Sequence, residues 1–228
     1  MFENPLHDDG WGHNICYDKF DRDTEHDCGQ EYKFPFTEDN FLNMKNMEKN
    51  NPKIAVVGAG YWGKNLVRNF HQLGVLKVIC DADRKIQSQM RKDYPDVSCV
   101  DQFDNLLNDP SLAALVIATP AVTHFALASQ ALEAGKHVFV EKPLAVTYDE
   151  GRQLVAKARA AGKILFVGHI LHYHQGVVKL KEMIADGKIG RLQYIYSRRL
   201  SFGKIRREED ILWSFAPHDT SLVLNIIG

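Results

Sequence analysis

Six residues, Gly58-Ala59-Gly60-Tyr61-Trp62-Gly63, have the types and spacing of a turn that holds a pyrophosphate. In such a turn the first glycine permits a tight bend. The second lets backbone approach the phosphates, and the third lets the following helix pack close to the preceding strand. An apolar run at 54–57 precedes the turn. An amphipathic stretch at 61–73 follows it, with Leu66, Val67, Phe70 and Leu73 on one face. That strand-turn-helix order places phosphates at a helix N-terminus, with Tyr61 and Trp62 in the same turn. Asp81 ends the next apolar run, 21 residues after Gly60. A carboxylate there accepts both ribose hydroxyls of an adenosine and repels a 2′-phosphate, which favours NAD over NADP. Arg84 is the nearby residue that would serve a 2′-phosphate instead, and Asp83 reads as a helix N-cap.

Two further clusters follow later apolar runs. Ala118-Thr119-Pro120 with Val122-Thr123-His124 puts Thr119, Pro120 and His124 where a nicotinamide would lie. Glu141-Lys142-Pro143 puts a charged pair at the same edge. A hydride that leaves a carbinol carbon requires the hydroxyl proton to leave as well, and a lysine in a desolvating pocket can take part in that transfer. Near the end of the chain, Trp213-Ser214-Phe215-Ala216-Pro217-His218-Asp219 places Pro217 in a helix's first turn and His218 at its start, with a titration range suited to acid–base work.

These side chains need a scaffold that brings distant segments to one edge. Apolar runs at 54–57, 75–80, 97–100, 114–119, 137–140 and 164–167 alternate with helical patterns at 61–73, 84–92, 102–107, 122–134 and 148–161. Gly135 and Gly162 close the last two helices. Six strands alternating with five helices predict an α/β fold: a doubly wound, Rossmann-type parallel sheet covered on both faces over 51–168. Beyond Gly168 the rhythm changes. A helix at 177–185, an alternating strand at 192–199 and a helix at 217–227 read as the start of an α+β substrate domain over 169–228.

The chain has 228 residues, 45% hydrophobic and 25% charged, which excludes a disordered or low-complexity protein. Its formal charge of -1 gives no basic field for nucleic acid. That sum hides an asymmetry. Residues 1–46 hold 4 Lys+Arg and 11 Asp+Glu, leaving 24 and 18 for residues 47–228. Residues 1–50 therefore read as an acidic extension, poorly ordered or loosely docked. Its His7, His13, Cys16, His26 and Cys28 match no zinc spacing, so no metal is expected. Apolar runs such as 112–118 fall well short of the ~20 residues of a membrane helix. No secretory signal is visible, so the expectation is a cytoplasmic protein with free thiols at Cys16, Cys28, Cys80 and Cys99.

Together the segments VVGAGYWGKN at 56–65, CDAD at 80–83, ATPAVTH at 118–124, VEKPLA at 140–145 and VGH at 167–169 resemble the glucose-fructose oxidoreductase / inositol dehydrogenase (Gfo/Idh/MocA) family. The resemblance covers about 53–228 and does not reach the acidic extension. The tail at 197–219 is similar to the branch of UDP-N-acetylglucosamine(uronate) 3-dehydrogenases. The resemblance implies that Lys142 and His218 are the catalytic pair. It implies that Arg198, Arg199, Arg206 and Asp219 meet a phosphorylated or carboxylated substrate. It also implies oxidation of a sugar C3 hydroxyl with NAD, and homo-oligomerisation through a C-terminal sheet of roughly a hundred further residues that this sequence does not contain. Ser214 stands four residues before His218, where many members carry Asp, and Phe202 stands where the sugar-nucleotide branch often has a polar residue. Two other functions fit the same motifs: a non-catalytic NAD-binding regulator or truncated family member, and a dehydrogenase of a free polyol or sugar such as inositol.

Overall fold

A computed structural model describes residues 52–198 and 211–227; of Ile211, Leu212, Ser214 and Phe215 it defines the backbone. The acidic extension, Arg199 and Arg206 lie outside the described residues.

Six strands form one parallel sheet in the order β3-β2-β1-β4-β5-β6. They are β1 (Lys53–Val57), β2 (Leu76–Cys80), β3 (Ser98–Val100), β4 (Leu112–Ile117), β5 (His137–Val140) and β6 (Leu165–Val167). The connecting helices are α1 (Gly63–Gln72), α2 (Arg84–Asp93), the single turn α3 (Asp104–Leu107), α4 (His124–Glu133) and α5 (Tyr148–Ala161). This is the α/β Rossmann architecture. Burial on both faces explains why β1 and β4 are near-continuous apolar runs rather than alternating ones. Alternate β1 residues feed two cores. Ala55 and Val57 join Leu115, Ile117, Leu132 and Leu154 on the face covered by α4 and α5. Ile54 and Val56 join Leu66, Val67, Ile79 and Met90 on the face covered by α1 and α2.

Local chemistry sets the helix ends. The Asp83 side chain accepts from the Lys85 N–H at 2.7 Å, the expected N-cap. At α5 the Thr147 hydroxyl accepts from the Glu150 N–H, and the Glu150 carboxylate accepts from the Val146 N–H. Gly162 then ends α5 at φ +60°, a left-handed position that favours glycine. The ladder also continues one residue past four strands. Gly58 N–H donates to Cys80, Ala118 N–H to Val57, Glu141 N–H to Ile117 and Gly168 N–H to Val140, at 2.8 to 2.9 Å. The motif residues after β1, β4, β5 and β6 are thus tied to the sheet itself.

After β6 comes a 3-10 turn at Ile170–Tyr173, then α6 (Gln175–Ala185) and α7 (Ile211–Ile227). Stacking of Phe139 on Phe166 at 5.4 Å, and of Phe166 on Tyr173 at 6.5 Å, fixes the turn against the sheet. Lys181 donates to the Asn225 side chain at 2.7 Å and joins α6 to α7.

Three expectations need correction. Residues 192–198 form no strand. Every residue from 191 to 198 is exposed, and the described strands offer this segment no partner, so its alternation has no buried face to serve. Pro217 does not open a helix, because α7 starts at Ile211 and carries Pro217 inside it. His218 accordingly sits mid-helix rather than at a helix start. The helix expected over 102–107 shrinks to the one turn of α3. Among the described residues no helix is long and apolar enough to cross a membrane. No cluster of metal-ligating side chains forms there. Cys80 and Cys99 are free thiols, and burial, reinforced by the nearby Asp81 charge, pushes Cys80 up to about 11.

Candidate active site

The sheet order reverses between β1 and β4, and a ligand crevice opens at the carboxyl ends of those strands. The glycine turn lies there. Gly58 has φ +87°, and a Cβ on it would sit 2.8 Å from the Ala118 carbonyl oxygen. A Cβ on Gly63 would lie 1.9 Å from the Gly58 oxygen, so the return of α1 onto the turn tolerates no side chain. Gly60 differs, because a Cβ there meets nothing within 4 Å. The fold itself does not demand that glycine; the free space above it is what a pyrophosphate over the turn requires. No side chain caps α1; the Lys64 and Asn65 N–H groups of its first turn donate to the Gly60 and Trp62 carbonyls at 3.2 and 2.9 Å. A depression of about 270 Å³ beside the turn is bordered by Gly60, Tyr61, Lys64 and Met90. The residues present therefore fit a dinucleotide.

Asp81 has a task within the chain as well. Its Oδ2 accepts from the Ala59 N–H at 2.8 Å and its Oδ1 from the Asp83 N–H at 2.9 Å. The carboxylate expected to meet the ribose thus also pins the glycine turn to the end of β2. Each oxygen keeps a second lone pair for a hydroxyl.

Thr119 and Pro120 follow β4, and the Thr119 hydroxyl pairs with Thr123 at 2.6 Å. His124, read as a residue of the nicotinamide side, is only 1% exposed. Its Nδ1 lies 2.7 Å from the Pro143 oxygen and its Nε2 2.9 Å from the Thr119 oxygen. It braces two loops from within and presents no ring nitrogen to the crevice.

Glu141 is buried, with its Oε1 accepting from Trp62 Nε1 at 2.8 Å. Burial pushes its carboxyl upward, and the Trp62 hydrogen bond and the nearby Lys142 and His124 oppose the rise. Lys142 follows at the mouth of the crevice, with a cis bond to Pro143.

His169 connects the rest. Burial, and then the charges of His172, His218 and Lys142, push its imidazole down to about 4. His172 stacks on it at 5.7 Å and is itself lowered, by burial and by Lys181. The Nδ1 of His169 and the Nε2 of His172 are shielded from solvent without a hydrogen-bond partner. Lys142 after β5 and His218 in α7 therefore both lie close enough to act on one imidazole after β6. In the sequence, Val167-Gly168-His169 stands out as a motif, but neither His169 nor His172 carries a role of its own there. The signal that marks them is the density of histidine in HILHYH. Arg198 is exposed, and Asp219 accepts from the Ser197 hydroxyl at 2.9 Å.

Comparison with known proteins gives this arrangement a family. Residues 52–169 match the family described as "Oxidoreductase family, NAD-binding Rossmann fold". The chain belongs to the Gfo/Idh/MocA oxidoreductase family. It is 33% identical over 197 residues to the uncharacterized oxidoreductase YdgJ of Escherichia coli (strain K12), covering 78% of this chain and 54% of that protein. It is 29% identical over 165 residues to scyllo-inositol 2-dehydrogenase (NADP(+)) IolW of Bacillus subtilis (strain 168), covering 71% and 44%. Among solved structures, GenD2 from gentamicin A biosynthesis in complex with NAD aligns with a TM-score of 0.57 at 29% identity, over 60% of this chain and 40% of that one. The chain spans about half the length, or less, of the curated relatives it matches. The family shares an NAD-binding fold, and NAD is the cofactor that the glycine turn and Asp81 of this chain suit.

Proposed function

We propose that this chain is the cofactor-binding and catalytic part of an NAD-dependent dehydrogenase that oxidises a secondary hydroxyl of a sugar or polyol. The observation that carries the reading is the glycine turn at the switch point of the sheet, pinned by Asp81 after β2; the charges of Lys142 and His218 also bear on the His169 imidazole. When bound, NAD supplies the hydride acceptor. Gly58 to Gly63 would hold its pyrophosphate and Asp81 its adenosine ribose, with Thr119, Pro120 and Glu141 toward the nicotinamide end. The Asp81 carboxylate disfavours a 2′-phosphate and so selects NAD over NADP. The substrate hydroxyl sits between Lys142 and His218, one of which accepts its proton as the hydride departs from the same carbon. His169, whose imidazole is held well below its usual range, offers a hydrogen bond to a neighbouring hydroxyl without adding charge.

The sugar-nucleotide form of this reading, oxidation at C3 of a UDP-N-acetylhexosamine or its uronate, rests on Arg198, Arg199 and Arg206 as partners for phosphate or carboxylate. A free polyol is the second reading. It is favoured by the His169 imidazole, held well below its usual range, and by the inositol activity in the name of the IolW relative.

The test is to offer the full chain NAD+ with UDP-N-acetylglucosamine, its uronate, myo-inositol or scyllo-inositol, and to follow the near-ultraviolet absorbance of reduced nicotinamide. A rise with one of them that Lys142→Ala abolishes supports the proposal. NAD+ binding with no turnover of any of them would instead favour a non-catalytic, cofactor-sensing protein.

A further inference from the structure

Trp62 is a bulky aromatic residue at the N-cap of α1, inside a turn whose other members keep backbone close to a ligand. The residue is 41% exposed, yet the one polar atom of its side chain points inward. The indole N–H donates at 2.8 Å to Oε1 of Glu141, 79 residues further along the chain. Glu141 is only 7% exposed, and a buried carboxylate needs donors. It has a second one, the backbone N–H of Lys142, which meets Oε2 at 3.3 Å. The carboxylate also lies flat against the backbone of Gly168. A Cβ there would sit 2.9 Å from Oε1 and 3.0 Å from Oε2. One carboxylate therefore touches three segments: the glycine turn through the indole, the peptide that carries Lys142, and the residue before His169.

Resting on the dehydrogenase reading above, we propose that Trp62 is a positioning residue that couples cofactor binding to the catalytic lysine. By holding Glu141 it fixes the Lys142 peptide relative to the turn beneath the pyrophosphate, so that occupancy of that turn and the direction of the lysine are set together. Glu141 Oε1 is fixed by a donor from the very loop that a bound dinucleotide would order. Burial alone drives Glu141 toward its protonated form. The indole N–H, the Lys142 N–H and the neighbouring Lys142 and His124 oppose that rise. Loss of the indole donor weakens that opposition, so the carboxyl protonates at higher pH and turns from an acceptor for the Lys142 peptide into a competing donor.

The test uses the full chain with its lysines 13C-methylated and the Lys142 signal assigned by its absence in Lys142→Arg. NAD+ added to the wild type should move that signal. In Trp62→Phe, which keeps the ring and removes the N–H, calorimetry gives the NAD+ Kd and so the NAD+ concentration that saturates the variant. The Lys142 signal should then respond weakly or not at all to NAD+, and its acid-range titration step should move to higher pH. Glu141→Gln keeps an acceptor for the indole and has no ionisable group. It turns an amide N–H toward the Lys142 peptide, so it should lose both the response to NAD+ and the titration step, and it supplies a second test if Trp62→Phe folds poorly. A Lys142 signal in Trp62→Phe that matches the wild type, with and without NAD+, would overturn the coupling and leave the dehydrogenase reading intact. NAD+ failing to bind the wild type would overturn both.

Discussion

His124 and Pro143 are joined from within the protein: the ring Nδ1 lies 2.7 Å from the proline carbonyl oxygen, while Nε2 lies 2.9 Å from that of Thr119. One buried imidazole thereby spans the loop after β4 and the turn that carries Lys142. Replacing His124 by Phe keeps the ring and removes the N–H, so whichever of the two carbonyl oxygens accepts it loses its donor. The expected cost is about 1 to 3 kcal/mol of stability, that of one orphaned buried acceptor. Urea denaturation measures it, and a change below about 0.5 kcal/mol would show that the brace is dispensable.

Gly60 and Gly63 should separate binding from folding. Gly63→Ala forces a Cβ to within 1.9 Å of the Gly58 oxygen and must shift the backbone of α1 or of the turn. A loss of more than about 2 kcal/mol is expected. Gly60→Ala meets nothing in the protein, so its melting temperature should stay close to that of the wild type while NAD+ affinity falls at least tenfold, or about 1.4 kcal/mol. Thermal denaturation and calorimetry on the same two variants decide the matter. Equal affinity for NAD+ in Gly60→Ala and the wild type would place the pyrophosphate elsewhere.

Lys142→Met removes the amine and keeps most of the side chain's volume. Turnover of whichever hydroxyl substrate is active should fall by about 10² to 10⁴, the usual contribution of a positioned acid or base. NAD+ affinity should stay within about threefold, because the pyrophosphate and ribose contacts lie at Gly58 to Gly63 and Asp81. A variant that loses NAD+ affinity in step with its rate would make Lys142 a binding residue instead.

His169 predicts how stability depends on pH. Its folded-state value of about 4 lies below the ordinary 6.5, so between these values the unfolded chain holds a proton that the folded chain does not. Its contribution is therefore complete above about pH 6.5 and is lost as the pH falls toward 4. The size is roughly 1 to 2 kcal/mol once the ring's partial exposure to solvent is allowed for. Glu141, raised by burial, acts in the opposite sense, because its folded form holds the proton longer. The difference between wild type and His169→Asn isolates the imidazole, and it should narrow from pH 7 to pH 4. A constant difference across that range would mean that His169 titrates normally.

Most of the sheet is legible in the sequence because its signals are local. Val56 and Val57, buried on opposite faces, must fall in a continuous apolar run, and Gly162 must be a residue that accepts a positive φ. The glycine turn is legible for the same reason, since its demands are steric and lie within six residues. What escaped depends on contacts between distant segments. His124 looks like a residue of the nicotinamide side until the Pro143 carbonyl, 19 residues later, is seen to fill its Nδ1. His169 and His172 gain their character only when Lys142, Lys181 and His218 are folded around them. Pro217 has the local form of a helix start, and the backbone from Ile211 onward overrides it.

The account stands most directly on transfer of a particular hydrogen. The full chain should be incubated with NAD+ and, separately, with UDP-N-acetylglucosamine carrying deuterium at C3 and with fully carbon-deuterated myo-inositol, and the cofactor then examined by mass spectrometry. Deuterated reduced nicotinamide in the wild type with one of these substrates, and none in Lys142→Met, is the predicted result. Deuterium transfer that persists undiminished in Lys142→Met, or a wild type that binds NAD+ and never acquires the label, would contradict it.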